Sequence, residues 1–492
     1  MIYYLGLGKA YPFLKVLGEV YYYGIIVGSI IVFLYMAARR LLELDYPKRN
    51  VIIFTVLSMA LSFPVGYLGS RGATMFYRPM SQWSLSYFFD QMIHGTSHTY
   101  HASLIFPLIM GAIFCVVLKM RFREVFDSIY LYVPLAHVFG RSACMVCGCC
   151  WGHHVSVNLL GFNLSFQNPM PLYAMVSNLL IFFFLRRMYT HIYSDPWTRS
   201  RYQGAVLATY YALYPALRIV YEIFRREKRI FMGFTQAQFA MTLYMLFSAI
   251  LFLVIWYLYK KQTTAADSPG EVAVHNQQEI HKLLSTGGLL ISYLMALFIF
   301  FTTTRQLNVW PFPFHRVFSL AEAYSRILYY LPYMIVPAYS LVWLKRSGLP
   351  VWEPFKWHRF SPYFLLGLAL SIYYALDLTV FSKNIRFQPW PFWMPVIVIS
   401  VMNAVAEEVW YRQALYGALR NLAYSKWIAI PLQAIVYAVI HFMIAGALFG
   451  IFAFIYGLVL GLIADRSKSI LPGIICHFII DIGCIGMPMM RT

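Results

Sequence analysis

Three polar pairs near the C-terminal end of the chain have the residue types and spacing of a hydrolytic site. The pairs are Glu408 with Arg412, Tyr437 with His441, and His477 with Asp481. Residues four apart share one face of a helix, so Glu408 and Arg412 can form an ion pair. Glu407 points about 100° away from Glu408 and is left free for other work. One free carboxylate facing two imidazoles can polarise a water molecule and stabilise an oxyanion, which is the chemistry of amide hydrolysis.

The residues alone also allow two further roles for this cluster. The ion pair between Glu408 and Arg412 can simply fix helix packing inside a membrane, where an unpaired charge is costly. Glu407, His441 and His477 are also residue types that bind zinc.

A second candidate site lies in the first half of the chain, between Gly140 and Gly152. Four cysteines lie in this stretch and two histidines directly follow it: Cys144, Cys147, Cys149, Cys150, His153 and His154. Such residues bind zinc or an iron–sulfur centre, but no second spaced pair of ligands follows, so a metal is not favoured. Cationic residues follow later, namely Arg218 (with Glu222 four residues on), Arg225, Arg226, Lys228 and Arg229.

The elements that must position these residues are membrane-spanning helices. Of the 492 residues, 60% are hydrophobic and only 12% are charged, which is rare in soluble domains. Apolar runs long enough to cross a hydrocarbon core of about 30 Å recur along the chain. The net charge is +20, but most basic residues gather in short clusters between apolar runs, as topogenic signals do. Nucleic acid is therefore not expected as a partner.

The apolar runs predict an all-α polytopic membrane protein with two fused transmembrane helical domains. About fourteen spans are expected, seven on each side of the polar stretch Gln262–Lys282. Basic clusters follow alternate spans, which places the N-terminus outside and the polar stretch inside. We therefore expect a membrane domain over residues 1–261, a cytoplasmic linker over 262–282 and a second membrane domain over 283–492. One basic cluster falls on the outer side and breaks this charge rule: Arg225, Arg226, Lys228 and Arg229. Either a short external loop tolerates these residues, or they contact anionic lipid headgroups.

The order, separation and membrane setting of the three C-terminal pairs resemble the CAAX protease and bacteriocin-processing family of intramembrane proteases, over roughly residues 283–492. The resemblance implies that Glu407 and His441 activate water and that His477 and Asp481 line an oxyanion site. The supporting residues would be Glu408 and Arg412. Asp481 stands where family members often carry asparagine. The resemblance argues against a required metal, so no cofactor is expected, although the residues alone leave a metal open.

Several motifs of the first half resemble, in their order, the prolipoprotein diacylglyceryl transferase family. They are Tyr23-Gly24, Gly69–Arg71, His101–Ile105, the Gly140–Gly152 stretch, Arg218 with Glu222, and Gly233–Gln238. Together they cover about Lys15–Tyr259. In this family a cysteine thiolate of a prolipoprotein attacks a carbon of phosphatidylglycerol, and glycerol phosphate leaves. Such a reaction needs a base for the thiol and cations for the phosphate.

The resemblance assigns roles in the first half residue by residue. His101 would be the base, with His94 and His98 as competitors, and Arg141 and Arg218 would hold phosphate. Glu222 would orient Arg218, while Arg225 and Arg226 would extend the headgroup contact. Tyr23, Cys144, Cys149 and Gly152 would be supporting residues. Two of these depart from the family, which commonly has asparagine at the position of Cys144 and an acidic residue at that of Cys149.

The resulting hypothesis is a fusion of two enzymes in the bacterial cytoplasmic membrane. One would transfer a diacylglyceryl group from phosphatidylglycerol to the lipobox cysteine of a prolipoprotein, and the other would hydrolyse peptide bonds in a membrane-associated substrate. Their co-occurrence suggests sequential processing of one substrate. The alternatives are a catalytically inactive scaffold that binds lipoproteins or peptides, and a transporter, because buried charges also mark ion paths. Replacing Glu407 by alanine separates an enzyme from a scaffold.

Overall fold

The computed structural model is built of helices that are long and apolar enough to span a membrane. It describes residues 12–77, 84–94, 102–147, 150–159, 162–225, 229–231, 234–263, 270–306, 319–379, 389–445 and 447–485. Within these ranges ten helices have the length and composition of membrane spans, and three shorter helices are also apolar. The described residues also form two short antiparallel hairpins, one at His154–Leu159 with Phe162–Gln167 and one at Arg229–Phe231 with Phe234–Thr235. The predicted all-α polytopic fold is confirmed, and the chain is a multi-pass membrane protein.

The chain divides into two compact units. The first contains residues up to Gly152 together with Pro169–Leu284, and the second contains His153–Asn168 together with the residues from Ser285 onward. Helices of the first unit are α1 (Pro12–Glu43), α2 (Lys48–Leu57), α3 (Phe63–Gly72), α4 (Leu85–His94), α5 (Ala102–Val117), α6 (Phe122–Tyr130), α7 (Val133–Cys147), α8 (Met170–Tyr193), α9 (Pro196–Tyr202), α10 (Ala205–Ile223) and α11 (Gln236–Thr263). Its hairpin is β3 (Arg229–Phe231) with β4 (Phe234–Thr235).

Helix α10 is the centre of the first unit. All of its residues except Leu217 are buried, because it packs against α6, α8 and α11. A helix that is apolar on every face belongs in the interior rather than at a lipid surface. The two charged residues of α10, Arg218 and Glu222, are therefore held inside the protein.

The start of α10 depends on one buried carboxylate. Gly204, with a φ of 94°, turns the chain into the helix. The Gly204 and Leu207 backbone N–H groups donate to Asp127 at 2.7 and 2.9 Å, and the Tyr193 hydroxyl donates to it at 2.9 Å. The first N–H groups of a helix have no partner within the helix, so Asp127 replaces the missing acceptors.

Replacing Asp127 by alanine should destabilise the first unit by about 3 kcal/mol or more, because three buried donors lose their acceptor. We expect the thermal unfolding midpoint of the purified protein to fall by about 5 °C or more. The matched control is Asp90→Ala, since Asp90 is exposed on α4. Equal midpoints for the two variants would contradict the capping role.

The polar stretch predicted as a linker is largely helical. Residues Glu271–Gln306 form one helix, α12, whose residues up to Leu284 belong to the first unit. Its first turns are tied to the end of α8: Asn276 donates to Asp195 at 2.9 Å, and Glu279 pairs with Arg187 at 2.8 Å. Burial raises the pKa of Asp195, but hydrogen bonds from Thr198 and Asn276 outweigh it and hold that pKa below its usual value. The polar residues from Glu271 onward thus form the packing face of a helix, and the linker role of residues 262–282 stays a prediction.

The second unit consists of α12 from Ser285 onward and eight further helices, among the described residues. These are α13 (Leu320–Tyr330), α14 (Ile335–Arg346), α15 (Pro362–Thr379), α16 (Trp393–Glu407), α17 (Tyr416–Asn421), α18 (Lys426–Ala445), α19 (Ala447–Ser467) and α20 (Leu471–Cys484). The unit also includes the hairpin of β1 (His154–Leu159) and β2 (Phe162–Gln167), after which Asn168 donates to the carbonyl of Met443 at 3.2 Å.

A π-helical segment, Glu408–Leu415, continues α16 into α17. All eight of its residues are buried, and it packs against α14, α16, α18 and α19. π-Helical turns are rare and occur mostly at functional sites. This one carries Glu408 and Arg412 into the interior of the unit.

Candidate active sites

The three C-terminal pairs converge in the second unit. Glu407 ends α16 and the π-helical segment follows it, while α18 carries Tyr437 and His441. Helix α20 carries His477 and Asp481 and packs against α16. Three helical elements therefore bring together side chains that lie up to 74 positions apart in the sequence, from Glu407 to Asp481.

Glu408 is the anchor of this cluster. Its Oε1 lies 3.0 Å from Nη1 of Arg412, and both side chains are fully buried. The same oxygen accepts a hydrogen bond from Nδ1 of His477 at 2.9 Å. The sequence predicts the first contact from the spacing, whereas the second joins two different helices. Glu408 thus orients the imidazole of His477 as well as pairing with Arg412.

Glu407 faces both imidazoles. Its Oε2 lies 3.4 Å from Nε2 of His477 and 3.9 Å from Nε2 of His441, and it has no hydrogen-bond partner among the described residues. Nδ1 of His441 lies 2.9 Å from the carbonyl of Tyr437. A carbonyl only accepts, so Nδ1 carries the proton and, in the neutral ring, Nε2 offers a lone pair toward Glu407.

Asp481 has a closer partner than His477, the residue that the sequence pairs with it. Oδ1 of Asp481 is 3.9 Å from Nε2 of His477, which is too long for a hydrogen bond. Its Oδ2 accepts from Nδ2 of Asn403 at 3.0 Å, and Oδ1 of Asn403 accepts from the Tyr330 hydroxyl at 2.9 Å. His477 and Asp481 are thus neighbours that do not hydrogen-bond to each other. His477 is hydrogen-bonded to Glu408, and Asp481 is hydrogen-bonded to Asn403.

A cavity of about 90 Å³ lies beside these groups. Its polar wall is formed by Asn403, Glu407, His441, His477 and Asp481. Aromatic and apolar side chains form the rest, among them Phe300, Tyr333, Phe449, Phe452 and Tyr456. A water molecule needs roughly 10–15 Å³ of such space, so the cavity has room for several beside the carboxylate.

The close packing of α20 on the cluster depends on Gly473. A Cβ at this position would stand 2.7 Å from Oε2 of Glu408, whose carboxylate Arg412 and His477 hold in place through Oε1. Gly473→Ala should therefore lower the stability of the second unit by about 1–3 kcal/mol. The control is Gly288→Ala, because nothing lies within 4 Å of a Cβ there. Thermal unfolding of both variants measures the difference, and equal midpoints would count against this contact.

In the first unit, Arg218 and Glu222 form the ion pair expected from their spacing. Nη2 of Arg218 lies 2.8 Å from Oε2 of Glu222, and both side chains are buried. Nη1 of Arg225 lies 3.7 Å from the same oxygen. Nε of Arg218 is buried and has no hydrogen-bond partner among the described residues. As far as the described residues go, one buried donor of this arginine is therefore left for a ligand.

Arg141 lies within electrostatic range of this pair. Its positive charge acts on Arg218, as does that of Arg225. Within α7, Nε of Arg141 donates to Nε2 of His137 at 3.1 Å, and the His137 ring stacks edge-on against Tyr214 of α10. Three arginines and one glutamate thus share a neighbourhood whose net charge suits an anion.

Other predicted residues of the first half are placed only in part. Gly152 pairs through its backbone with Arg225, which connects the cysteine-rich stretch to the end of α10, and Cys144 is buried on α7. Outside the described residues lie His101, His98, Cys149, Arg226 and the side chain of Tyr23. His94 is exposed at the end of α4. Among described residues, no group of three or more histidine, cysteine, aspartate or glutamate side chains is arranged to bind a metal ion.

The motif that ends in Gln238 has a structural role. Thr235 and Gln238 exchange hydrogen bonds, with Gln238 N donating to Thr235 Oγ1 at 3.2 Å and Thr235 N donating to Gln238 Oε1 at 3.1 Å. This reciprocal pair caps the start of α11. Nε2 of Gln238 also donates to the carbonyl of Ile219 at 3.3 Å, which fixes α11 against α10.

Three residues near the candidate sites were missed at the sequence level: His137, Tyr330 and Asn403. His137 stands four residues before Arg141, and Asn403 stands four residues before Glu407. The spacing that revealed the other pairs was therefore available for both. Tyr330 carries no such signal, because tyrosine is common throughout this chain.

Comparison with known families addresses each half separately. Residues 12–256 match the family of prolipoprotein diacylglyceryl transferases, and residues 389–483 match the type II CAAX prenyl endopeptidases that are Rce1-like. The chain joins a transferase-like half to a protease-like half. Both resemblances are thereby confirmed, the second over a shorter range than expected but including every residue from Glu407 to Asp481. No curated protein matches the chain significantly.

Proposed function

We propose that the protein is a bifunctional enzyme of the bacterial cytoplasmic membrane. Its transferase-like half moves a diacylglyceryl group from phosphatidylglycerol to the lipobox cysteine of a prolipoprotein. Its protease-like half hydrolyses a peptide bond in a membrane-associated substrate. The observation that carries the proposal is the position of Glu407, whose Oε2 faces two imidazoles on the wall of a cavity and makes no hydrogen bond to a described residue.

In the protease-like half, a water molecule would bind between Glu407 and Nε2 of His441. The 3.9 Å between the carboxylate oxygen and the imidazole nitrogen leaves space for such a bridging water. Glu407 takes a proton from this water as the water oxygen attacks the scissile carbonyl carbon. His477 donates from Nε2 to the oxyanion that forms, while Glu408 fixes its ring through Nδ1. The carbon–nitrogen bond then breaks, and the proton passes to the leaving amine.

In the transferase-like half, the cysteine sulfur forms a bond to a glyceryl carbon while the bond from that carbon to the phosphate oxygen breaks. Negative charge grows on the departing glycerol phosphate. Arg218 would donate to this phosphate from Nε–H, which has no partner among the described residues, with Arg141 and Arg225 adding positive charge. Glu222 keeps the guanidinium of Arg218 in place through the 2.8 Å ion pair. His101 is proposed as the base that removes the thiol proton.

Reconstitution tests both halves together. The purified protein is reconstituted into vesicles that contain phosphatidylglycerol and incubated with a synthetic lipobox peptide. The masses of the products are then measured by mass spectrometry. A mass gain of one diacylglyceryl group reports the transferase-like half, and a subsequent mass loss reports the protease-like half. A second probe, a peptide ending in a prenylated CAAX sequence, tests hydrolysis independently of lipid transfer.

The outcomes separate the enzyme from its competitors. Tight binding of either peptide without any change in mass would favour the scaffold. Vesicles that lack phosphatidylglycerol should abolish the mass gain, because the donor is then missing. The further hypothesis that both halves act on one substrate is abandoned if the lipidated lipobox peptide is never cleaved while the CAAX peptide is.

A further inference from the structure

A chain of hydrogen bonds beside the protease-like cavity contains a residue that the proposed chemistry does not use. The hydroxyl of Tyr330 donates to Oδ1 of Asn403 at 2.9 Å, and Nδ2 of Asn403 donates to Oδ2 of Asp481 at 3.0 Å. All three side chains are buried and line the cavity. They come from three helices, α13, α16 and α20. These hydrogen bonds therefore fix the three helices relative to one another and also fix the carboxyl group of Asp481.

The orientation of the Asn403 amide follows from its neighbours. Nδ2 of Asn403 donates to Oδ2 of Asp481 at 3.0 Å, so the NH₂ of the amide is the group that faces the carboxyl group. The amide oxygen then points to Tyr330, whose hydroxyl donates. Both hydrogen bonds therefore run in the same direction, with Tyr330 donating to Asn403 and Asn403 donating to Asp481.

We propose that Asn403 is a positioning residue that determines which group of residue 481 faces His477 and the cavity. Because Oδ2 of Asp481 is occupied by Asn403, its Oδ1 is the atom left toward Nε2 of His477, at 3.9 Å. The inference rests on the proposed hydrolysis at this site and adds a residue outside the three C-terminal pairs. Asn403 itself does not reach His477 and acts through Asp481.

This arrangement has a testable consequence for position 481. An asparagine there would accept from Asn403 through its oxygen, and its NH₂ would then turn toward His477 and the cavity. That NH₂ would donate to an oxyanion, where the carboxylate oxygen of Asp481 can only accept. A single oxyanion donor contributes about 10²- to 10³-fold in kcat in other enzymes, and a smaller part of that effect is expected for a donor added to an existing site.

A double-mutant cycle compares the wild type with Asn403→Ala, Asp481→Asn and the variant that carries both substitutions. The measured quantity is cleavage of the prenylated CAAX peptide in vesicles. Asn403→Ala should lower kcat by about 10- to 100-fold with KM changed little, since misplacement of a reacting group by about 1 Å has an effect of this order. Asp481→Asn should raise kcat by about 10-fold when Asn403 is present and not when it is alanine. Ser400→Ala is the control, because Ser400 is buried one turn earlier on α16 and its hydroxyl has no hydrogen-bond partner among described residues.

The cycle distinguishes positioning from mere structural support. A structural role would lower the unfolding midpoint of Asn403→Ala and reduce the activity of every variant in proportion. The proposal is overturned if Asp481→Asn has the same effect with and without Asn403, or if it raises kcat in neither background. It is also overturned if Asn403→Ala retains the kcat of Ser400→Ala.

A second measurement keeps the inference independent of the reaction. If the wild-type protein cleaves no probe, the proposed function fails, while ¹⁵N spectra of the histidine side chains still report the surroundings of His477. We expect Asn403→Ala to shift the Nε2 signal of His477 and Ser400→Ala to leave it in place. An unchanged His477 signal in Asn403→Ala would show that Asn403 does not control the group facing this ring.

Discussion

Replacing Glu407 by glutamine should abolish peptide-bond hydrolysis and leave diacylglyceryl transfer unchanged. Glutamine has nearly the same shape but cannot take a proton from water, so kcat for cleavage of the CAAX peptide should fall by about 10²- to 10⁴-fold. Oε2 of Glu407 makes no hydrogen bond to a described residue that the substitution would break. The unfolding midpoint should therefore stay close to that of the wild type.

The control for this variant is Glu353→Gln. Glu353 is also a glutamate of the second unit, but its side chain is 56% exposed and pairs with Lys356 at the surface. We expect its activity to equal that of the wild type. Cleavage by Glu407→Gln at the rate of the control would exclude Glu407 as the base and favour the scaffold for this half.

Replacing Arg218 by lysine should lower diacylglyceryl transfer by about 100-fold and spare hydrolysis. Lysine retains the charge beside Glu222, so a carboxylate is not left buried without a partner, a change that costs about 3–5 kcal/mol. It lacks the planar guanidinium and the Nε–H that is unpaired among the described residues. Arginine and lysine are not equivalent where phosphate is bound by a fork of donors. Mass spectrometry of the lipobox peptide measures the rate.

Arg186→Lys serves as the matched control, because Arg186 is exposed on α8 in the same unit. It should transfer at the wild-type rate. If Arg218→Lys also did so, Arg218 would be only the structural partner of Glu222. A double variant, Arg218→Gln with Glu222→Gln, removes the ion pair altogether. It should fold without transferring, whereas continued transfer would remove the pair from the reaction.

Local patterns explain why much of the fold was predictable. Long apolar runs specify helices, and a spacing of four residues brought out Glu408 with Arg412 and Arg218 with Glu222. Both pairs lie within a single helical element, so no knowledge of tertiary packing is needed. Both family resemblances also depend on motif order, which is visible in the sequence itself.

Contacts between distant residues explain what was missed. His477 and Glu408 are 69 positions apart, and Asn403 and Asp481 are 78 apart, so only the packing of α20 against α16 brings them together. The π-helical segment was also invisible, because its residues continue an ordinary helical pattern. The linker role of the polar stretch before Leu283 stays a prediction, but the pairing of its Glu279 with Arg187 at 2.8 Å could not be foreseen from composition.

The internal pairing of Glu408 with Arg412 has a consequence for how the protein is made. Each charge at the centre of a nascent hydrocarbon-spanning segment costs about 2.5–3.5 kcal/mol during insertion, and a pair on one segment enters already neutralised. Glu407 has no such partner on its own segment, since His441 and His477 follow later in the chain. The segment that carries it should therefore wait beside the insertion machinery until α20 has left the ribosome. A ribosome stalled before Leu471 would expose this half to quality-control proteolysis.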